Sequence, residues 1–194
     1  MMDLDLLVGS GGVLSHAPRR QQSARMLIDA FMPEGITQLA VDSIFMMPQL
    51  GVLANIDKDE LKEDASQAAL EVFDNDCLIR LGTCVTPVGN AKPNSKMADV
   101  TLTFSDGTVK EIEINEGYLE MMEYPYEEVK VHIKPSRGID VGAGKGEELE
   151  SVIYGGVVGL IFDGRNRPIT LSKKSDQRIN SLLSWSKAVD EYPK

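Results

Sequence analysis

Gly9, Gly11 and Gly12 follow the apolar run Leu4 to Val8 and precede a stretch with helical period. A strand that breaks into glycines and then into a helix presents backbone N–H groups at the helix start, and such groups favour anions. Without Cβ atoms the backbone can also come close to a ribose or a phosphate. The spacing is Gly9-x-Gly11-Gly12, and the dinucleotide fingerprint would need a third glycine at position 15, where Ser15 stands. Gly9, Ser10, Gly11 and Gly12 thus form a nucleotide-contacting turn by residue type, without the dinucleotide pattern. Tight packing of a strand on a helix would need the same glycines, so both readings stand here.

A second cluster, Gly138 to Glu147, holds Gly142, Gly144, Lys145 and Gly146. A phosphate loop of the GxxxxGK[ST] type would need glycine at 139 and a hydroxyl at 146, where Ile139 and Gly146 stand. The magnesium-binding hydroxyl is therefore missing, and the cluster reads as a flexible surface loop. His16 and His132 are the two histidines, and neither has a carboxylate at a spacing that suggests a catalytic base. Ser15 lacks the Gly-x-Ser-x-Gly setting of a nucleophile elbow. Cys77 and Cys84 match no zinc or CxxC pattern and read as buried free thiols. Glu111, Glu113, Glu116 and Glu120 read as a solvated face. No catalytic constellation emerges.

The formal net charge of -10 sets a field that repels phosphate backbones, which argues against a nucleic-acid partner. The densest basic group, Arg165, Arg167, Lys173, Lys174 and Arg178, is flanked by acids and reads as a solvated face. No apolar run approaches the roughly 20 residues of a membrane helix, so no membrane partner is expected. Two cysteines and no signal peptide suggest a reducing, cytoplasmic setting.

The elements that must position these residues are legible from periodicity. After Pro18, Ala24, Leu27, Ile28 and Phe31 share one face of a helix over Gln22 to Phe31, stopped by Pro33 and Gly35. Leu39 to Val41 reads as a second strand, Gln49 to Ala54 as a short helix after Pro48, and Asp59 as the cap of a helix reaching Phe73. From Cys77 the period becomes alternating: strands are expected at Leu78 to Val85, Val100 to Phe104, Val109 to Ile114 and Val129 to Ile133. Asp106-Gly107 and Asp163-Gly164 mark two expected hairpins, the second between Gly155–Phe162 and Pro168–Leu171. A last helix over Asp176 to Val189 carries Ile179, Leu182, Leu183, Trp185 and Val189 in one stripe. The expected fold class is α+β: a short strand–glycine turn–helix segment over residues 1–75, then a β-rich module over 76–194 with a closing helix.

Several segments together resemble one family. Asp5 to Pro18, Leu39 to Leu53, Asp140 to Gly146 and Gly155 to Pro168 are similar, in order, to the C-terminal half of the MutL proteins of the glutamate mutase system, which share only a name with the mismatch-repair protein. The resemblance implies part of an actin-like ATPase fold and a chaperone that reactivates or assembles an adenosylcobalamin-dependent mutase. It implies that Gly9, Ser10, Gly11 and Gly12 contact the adenosine of ATP. Partners implied are the mutase subunits and the N-terminal half of the same protein, which in the family carries the phosphate-binding hairpins and the magnesium-linked acids. Nothing in this sequence matches that half. The expectation is therefore no catalytic residue and no metal site here, no ATPase activity of this chain alone, ATP held only weakly, and Mg2+ bound only in the complete protein. The other reading is a non-catalytic interaction module whose glycine turn is structural.

Overall fold

The computed structural model describes residues 4–55 and 63–192. The opening strand β1, Leu6–Gly9, leads through a single helical turn, α1, Gly12–Ser15, into α2, Arg20–Phe31. Helix α2 starts two residues earlier than its apolar face suggests, and it ends where Met32 turns left-handed and donates its N–H to the Ile28 carbonyl at 2.8 Å. Strand β2, Gly35–Asp42, α3, Met47–Ala54, and α4, Glu63–Val72, follow, and α4 runs into a π-helical turn, Phe73–Cys77. The expected cap Asp59 lies outside the described residues. Beyond them come β3, Leu78–Thr86; β4, Val88–Gly89; β5, Lys96–Thr103; β6, Val109–Asn115; and β7, Leu119–Met122. The chain closes with β8, Glu128–Pro135; β9, Ile139–Asp140; β10, Leu149–Tyr154; β11, Gly159–Asp163; and α5, Ser175–Ala188.

The fold is α+β, as expected, and it is layered. A mixed sheet has the order β1-β2-β3-β11-β7, with β1/β2 and β3/β11 parallel and β2/β3 and β11/β7 antiparallel. An antiparallel sheet, β10-β8-β5-β6, packs on one face of it. Val100, Leu102, Ile112, Val131 and Ile133 of that second sheet meet Val85, Leu160 and Phe162 of the first. On the other face, Leu27 and Ile28 of α2 and Trp185 of α5 cover Leu39, Val41, Leu81 and Ile161. Burial on both faces explains why β11 is apolar from Gly159 to Phe162 instead of alternating. The central strands also approach closely at Gly82, where φ is +135° and a Cβ would lie 1.8 Å from the Gly159 carbonyl oxygen.

The position expected to divide two segments, between residues 75 and 76, does not divide the sheets. β2 pairs with β3 across it from Gly35↔Thr86 to Asp42↔Leu78, with a register shift between Leu39 and Ala40. The first expected hairpin forms: β5 and β6 close at Thr103↔Val109, and the Asp106 carboxylate accepts the Thr108 N–H at 2.8 Å. The second does not form. After β11 the chain takes neighbours far away in sequence, β3 and β7, and residues 164–172 contain no strand. Arg165 and Arg167 are turned inward onto Asp163, each with a 2.9 Å ion pair, so the basic group is not a wholly solvated face. Arg165 also lies 5.1 Å from the ring centre of Trp185, which secures α5. Of the stripe expected on α5, Trp185 is buried with Val189 just beyond it, while Ile179, Leu182 and Leu183 stay exposed.

Candidate functional site

The glycine turn stands where two parallel strands end together. Gly9 of β1 is level with Val41 of β2, so Ser10 leaves one strand beside Asp42, the last residue of the other. In open α/β sheets the crevice outside the carboxyl ends of such strands is where ligands bind. The three glycines have different physical reasons. A Cβ at Gly9 would meet Leu14 Cδ1 at 2.7 Å and Leu27 Cδ2 at 2.9 Å, so this residue packs strand against helix. Gly11 has φ +103°, a backbone conformation that residues with a Cβ rarely adopt. At Gly11 and Gly12 an added Cβ would touch no described atom within 4 Å, so this part of the turn is open to an approaching molecule.

Asp42 organises the turn. Its side chain is fully buried, and its carboxylate accepts the N–H of Met46 at 3.1 Å and of Met47 at 3.0 Å, the residues that open α3. The Ser10 hydroxyl donates to the same carboxylate at 3.3 Å, and the buried Ser15 hydroxyl donates to the Asp42 backbone carbonyl. Arg20 donates to the Ser15 carbonyl at 2.8 Å and ties α2 to the end of α1. Burial pushes the Asp42 carboxyl up, but the N–H groups of Met47 and Met46 and the Ser10 hydroxyl outweigh it and hold the group below the usual carboxylate range. The helix N-terminus that a ligand anion could have used is thus occupied by the protein's own carboxylate. Val13, Ile44 and Phe45 are exposed beside this arrangement, and Phe45 is held at φ +61°, an uncommon conformation for a bulky residue.

The second glycine cluster is a surface loop. Asp140 of β9 accepts the N–H of Gly142 at 2.9 Å and of Gly144 at 3.1 Å, and Lys145 is exposed. These amides are satisfied from inside the loop, as those of α3 are by Asp42. His132 is half-exposed on β8, and the fold brings Glu148 to it: Nε2 and Oε2 are 2.8 Å apart. Sequence spacing did not reveal that carboxylate, because it comes from the approach to the neighbouring strand β10. Both cysteines are free and buried. Among the described residues no group of three or more His, Cys, Asp or Glu side chains is placed to hold a metal ion. No described helix is long and apolar enough to cross a membrane.

Asp42, which joins the turn to α3, stood in the sequence between the Leu39–Val41 run and Pro48, and nothing local marked it. The fold is thus an α+β protein with a glycine turn at the end of a parallel strand pair. Residues 1–71 match the model of the family described as MutL protein. The resemblance to the glutamate mutase MutL family is thereby borne out over that segment, which contains the whole of β1, the glycine turn, Asp42 and α3. The later resembling segments, Asp140 to Gly146 and Gly155 to Pro168, lie outside the match. No curated protein and no solved structure matches the chain at a significant level.

Proposed function

We propose that this chain supplies the adenosine-facing part of an ATP-dependent factor that reactivates or assembles an adenosylcobalamin-dependent mutase of the glutamate mutase or aminomutase type. The observation that carries the reading is the turn Gly9–Gly12: it is open at Gly11 and Gly12, it stands at the carboxyl ends of β1 and β2, and it lies inside the MutL-matched segment. ATP is the cofactor, held weakly by this chain, with phosphates and Mg2+ served by groups outside it. The partners are the mutase subunits and an N-terminal half of the same factor. Amide resonances of Gly9, Ser10, Gly11 and Gly12 are expected to shift on titration with adenosine at millimolar concentration. No shift at those four residues would remove the nucleotide part of the proposal. Failure of a cobalamin-dependent mutase to retain the chain, with and without ATP, would remove the partner part.

A second reading, a docking module with no nucleotide role, draws on the apolar side chains left exposed on α3 and α4: Val52, Leu53, Leu70 and Val72. Retention by the mutase together with an unperturbed glycine turn in adenosine would favour it.

A further inference from the structure

Strand β10 is the outer strand of the antiparallel sheet and pairs with β8 alone. Gly155, just beyond it, donates its N–H to the Glu127 carbonyl at 3.2 Å and continues the ladder to β8. The Thr83 hydroxyl accepts the Tyr154 N–H at 3.2 Å and donates to the Tyr154 carbonyl at 2.7 Å, so both Tyr154 groups point away from β8. Residues of an antiparallel ladder alternate between bonding the partner strand and facing away from it. The N–H and C=O of Val152 and Glu150 therefore face the free side as well, and among the described residues no backbone group beyond the ladder bonds to them. Such an unpaired row is a template for a further strand. At the opposite edge of the sheet, β6 carries Lys110, Glu111 and Glu113, all exposed, the kind of charges that guard an edge. β10 carries a single charge, Glu150.

A cavity opens on each face of β10 at Ser151 and Val152. The inner one, about 250 Å³, lies between β10 and the first sheet, and Asp5, Gln38, Thr83, Leu149, Ser151 and Ile153 are among its walls. The outer one, about 440 Å³, is bounded by Lys130, His132, Glu150 and Val152. Side chains of an added strand alternate between the two faces, so a residue opposite Ser151 enters the inner cavity and its neighbour the outer one. Asp5 is the one charged side chain of the inner walls and forms no ion pair among the described residues. A lysine matches these walls: its apolar stem lies along Leu149 and Ile153 and its ammonium reaches Asp5. Outside, Val152 is 41% exposed and suits an aliphatic side chain. Glu148 is already matched by His132 and Lys134, whereas Glu147 and Glu150 are exposed and add to the pull on a basic segment.

We propose that the free edge of β10 docks an extended basic peptide of a partner protein, which adds a strand to the antiparallel sheet, sets a lysine opposite Ser151 against Asp5 and lays an aliphatic side chain on Val152. The docking edge is independent of the adenosine reading of the glycine turn. A second copy of this chain is a poorer occupant, because its own β10 would bring Glu150 and no cation to the edge. The test follows backbone amides of the whole chain during titration with the blocked peptide Thr-Val-Lys-Val-Thr. Saturable shifts centred on Glu150 and Val152 are expected. The same peptide with glutamate for lysine should bind at least about fivefold more weakly, the scale of one exposed ion pair. Asp5→Asn should weaken the lysine peptide by about the same factor and leave a glutamine version unchanged. Val152→Pro removes an outward N–H that β8 does not use, a change that edge strands accommodate, and should abolish the shifts. N-methylation of both peptide valines, whose amides face β10, should do the same without altering the protein. No shifts at millimolar peptide, equal binding of the lysine and glutamate peptides, or undiminished binding of the methylated peptide would overturn the proposal. Those outcomes decide it even if Val152→Pro does not fold. Shifts at Glu150 and Val152 that grow with protein concentration alone would also overturn it and give the edge to a second copy.

Discussion

The turn at Gly9–Gly12 and the loop at Gly138–Gly146 are two glycine-rich stretches of the chain, and an aspartate of the protein itself bonds at each: Asp42 to the Ser10 hydroxyl, Asp140 to the amides of Gly142 and Gly144. They differ in where that aspartate comes from. Asp140 reaches two and four residues along its own loop, to Gly142 and Gly144, and the loop remains exposed. Asp42 reaches across strands, joining the end of β2 to Ser10 after β1 and to the first turn of α3, and it is itself buried while its donors are partly exposed. A local bond of the first kind shapes a loop and leaves water as an alternative partner. The second kind holds three chain segments in one geometry around a carboxylate that is itself buried. Glycine content alone says nothing of this difference, which is one between a surface connection and a junction of three chain segments.

The comparison is broken most directly by removing the two aspartates. Asp42→Ala leaves the Met46 and Met47 amides and the Ser10 hydroxyl without a partner and should cost about 3 kcal/mol, roughly one for each orphaned donor. Asp140→Ala, whose freed amides turn to water, should cost about 1 kcal/mol or less. Urea unfolding of both variants checks this, and equal midpoints would show that the two turns are held alike.

Within the first turn the glycines should separate. Gly9→Ala forces a methyl against Leu14 and Leu27 and should lose about 2 kcal/mol through overpacking. Gly12→Ala enters open space and should be neutral or gain up to about 1 kcal/mol, because the unfolded chain loses freedom. Thermal unfolding distinguishes them, and a destabilised Gly12→Ala would contradict the open face of the turn.

Acid gives a third contrast. The folded-state carboxyl of Asp42 is held below its ordinary value of 3.8, so its contribution to stability is complete above that value and is lost as the pH falls below it. Asp163 behaves in the same direction: burial raises its carboxyl, but Arg165 and Arg167 outweigh this. Asp42→Asn should therefore flatten the loss of stability below pH about 4 without abolishing it, since Asp163 remains. Acid titration of unfolding free energy reads the slope, and an unchanged slope would mean that Asp42 is not charged in the fold. The smallest effect is expected at Lys145→Ala, an exposed loop position, with stability in urea within about 0.5 kcal/mol of wild type. A larger loss would show that Lys145 helps to hold the second loop.

Much of this architecture is readable from residue order, where the cause is local. The apolar face of Ala24, Leu27 and Ile28 defines α2, the alternation of Val100 and Leu102 defines β5, and Asp106-Gly107 closes its hairpin with β6. Each rests on contacts a few residues apart, where helical and strand periods leave their mark. The Asp163-Gly164 hairpin misled for the converse reason. The same dipeptide sits at the end of a strand whose partners are β3 and β7, and the neighbouring arginines neutralise Asp163 in the core. Expected helix faces also overshot: Leu182 and Leu183 have the period of a buried stripe yet remain exposed.

By itself, then, the sequence determined the α+β class, the position of the glycine turn between β1 and the helices after it, and the likeness of its first 71 residues to the MutL family model. Only the tertiary structure decided what that turn is beside. The parallel register that sets Gly9 against Val41 brings Ser10 to Asp42 across 32 positions of chain. Strand pairing between distant segments leaves no period in the residues it joins. A buried carboxylate satisfied by backbone amides therefore reads, along the chain, like any other aspartate at the end of a strand.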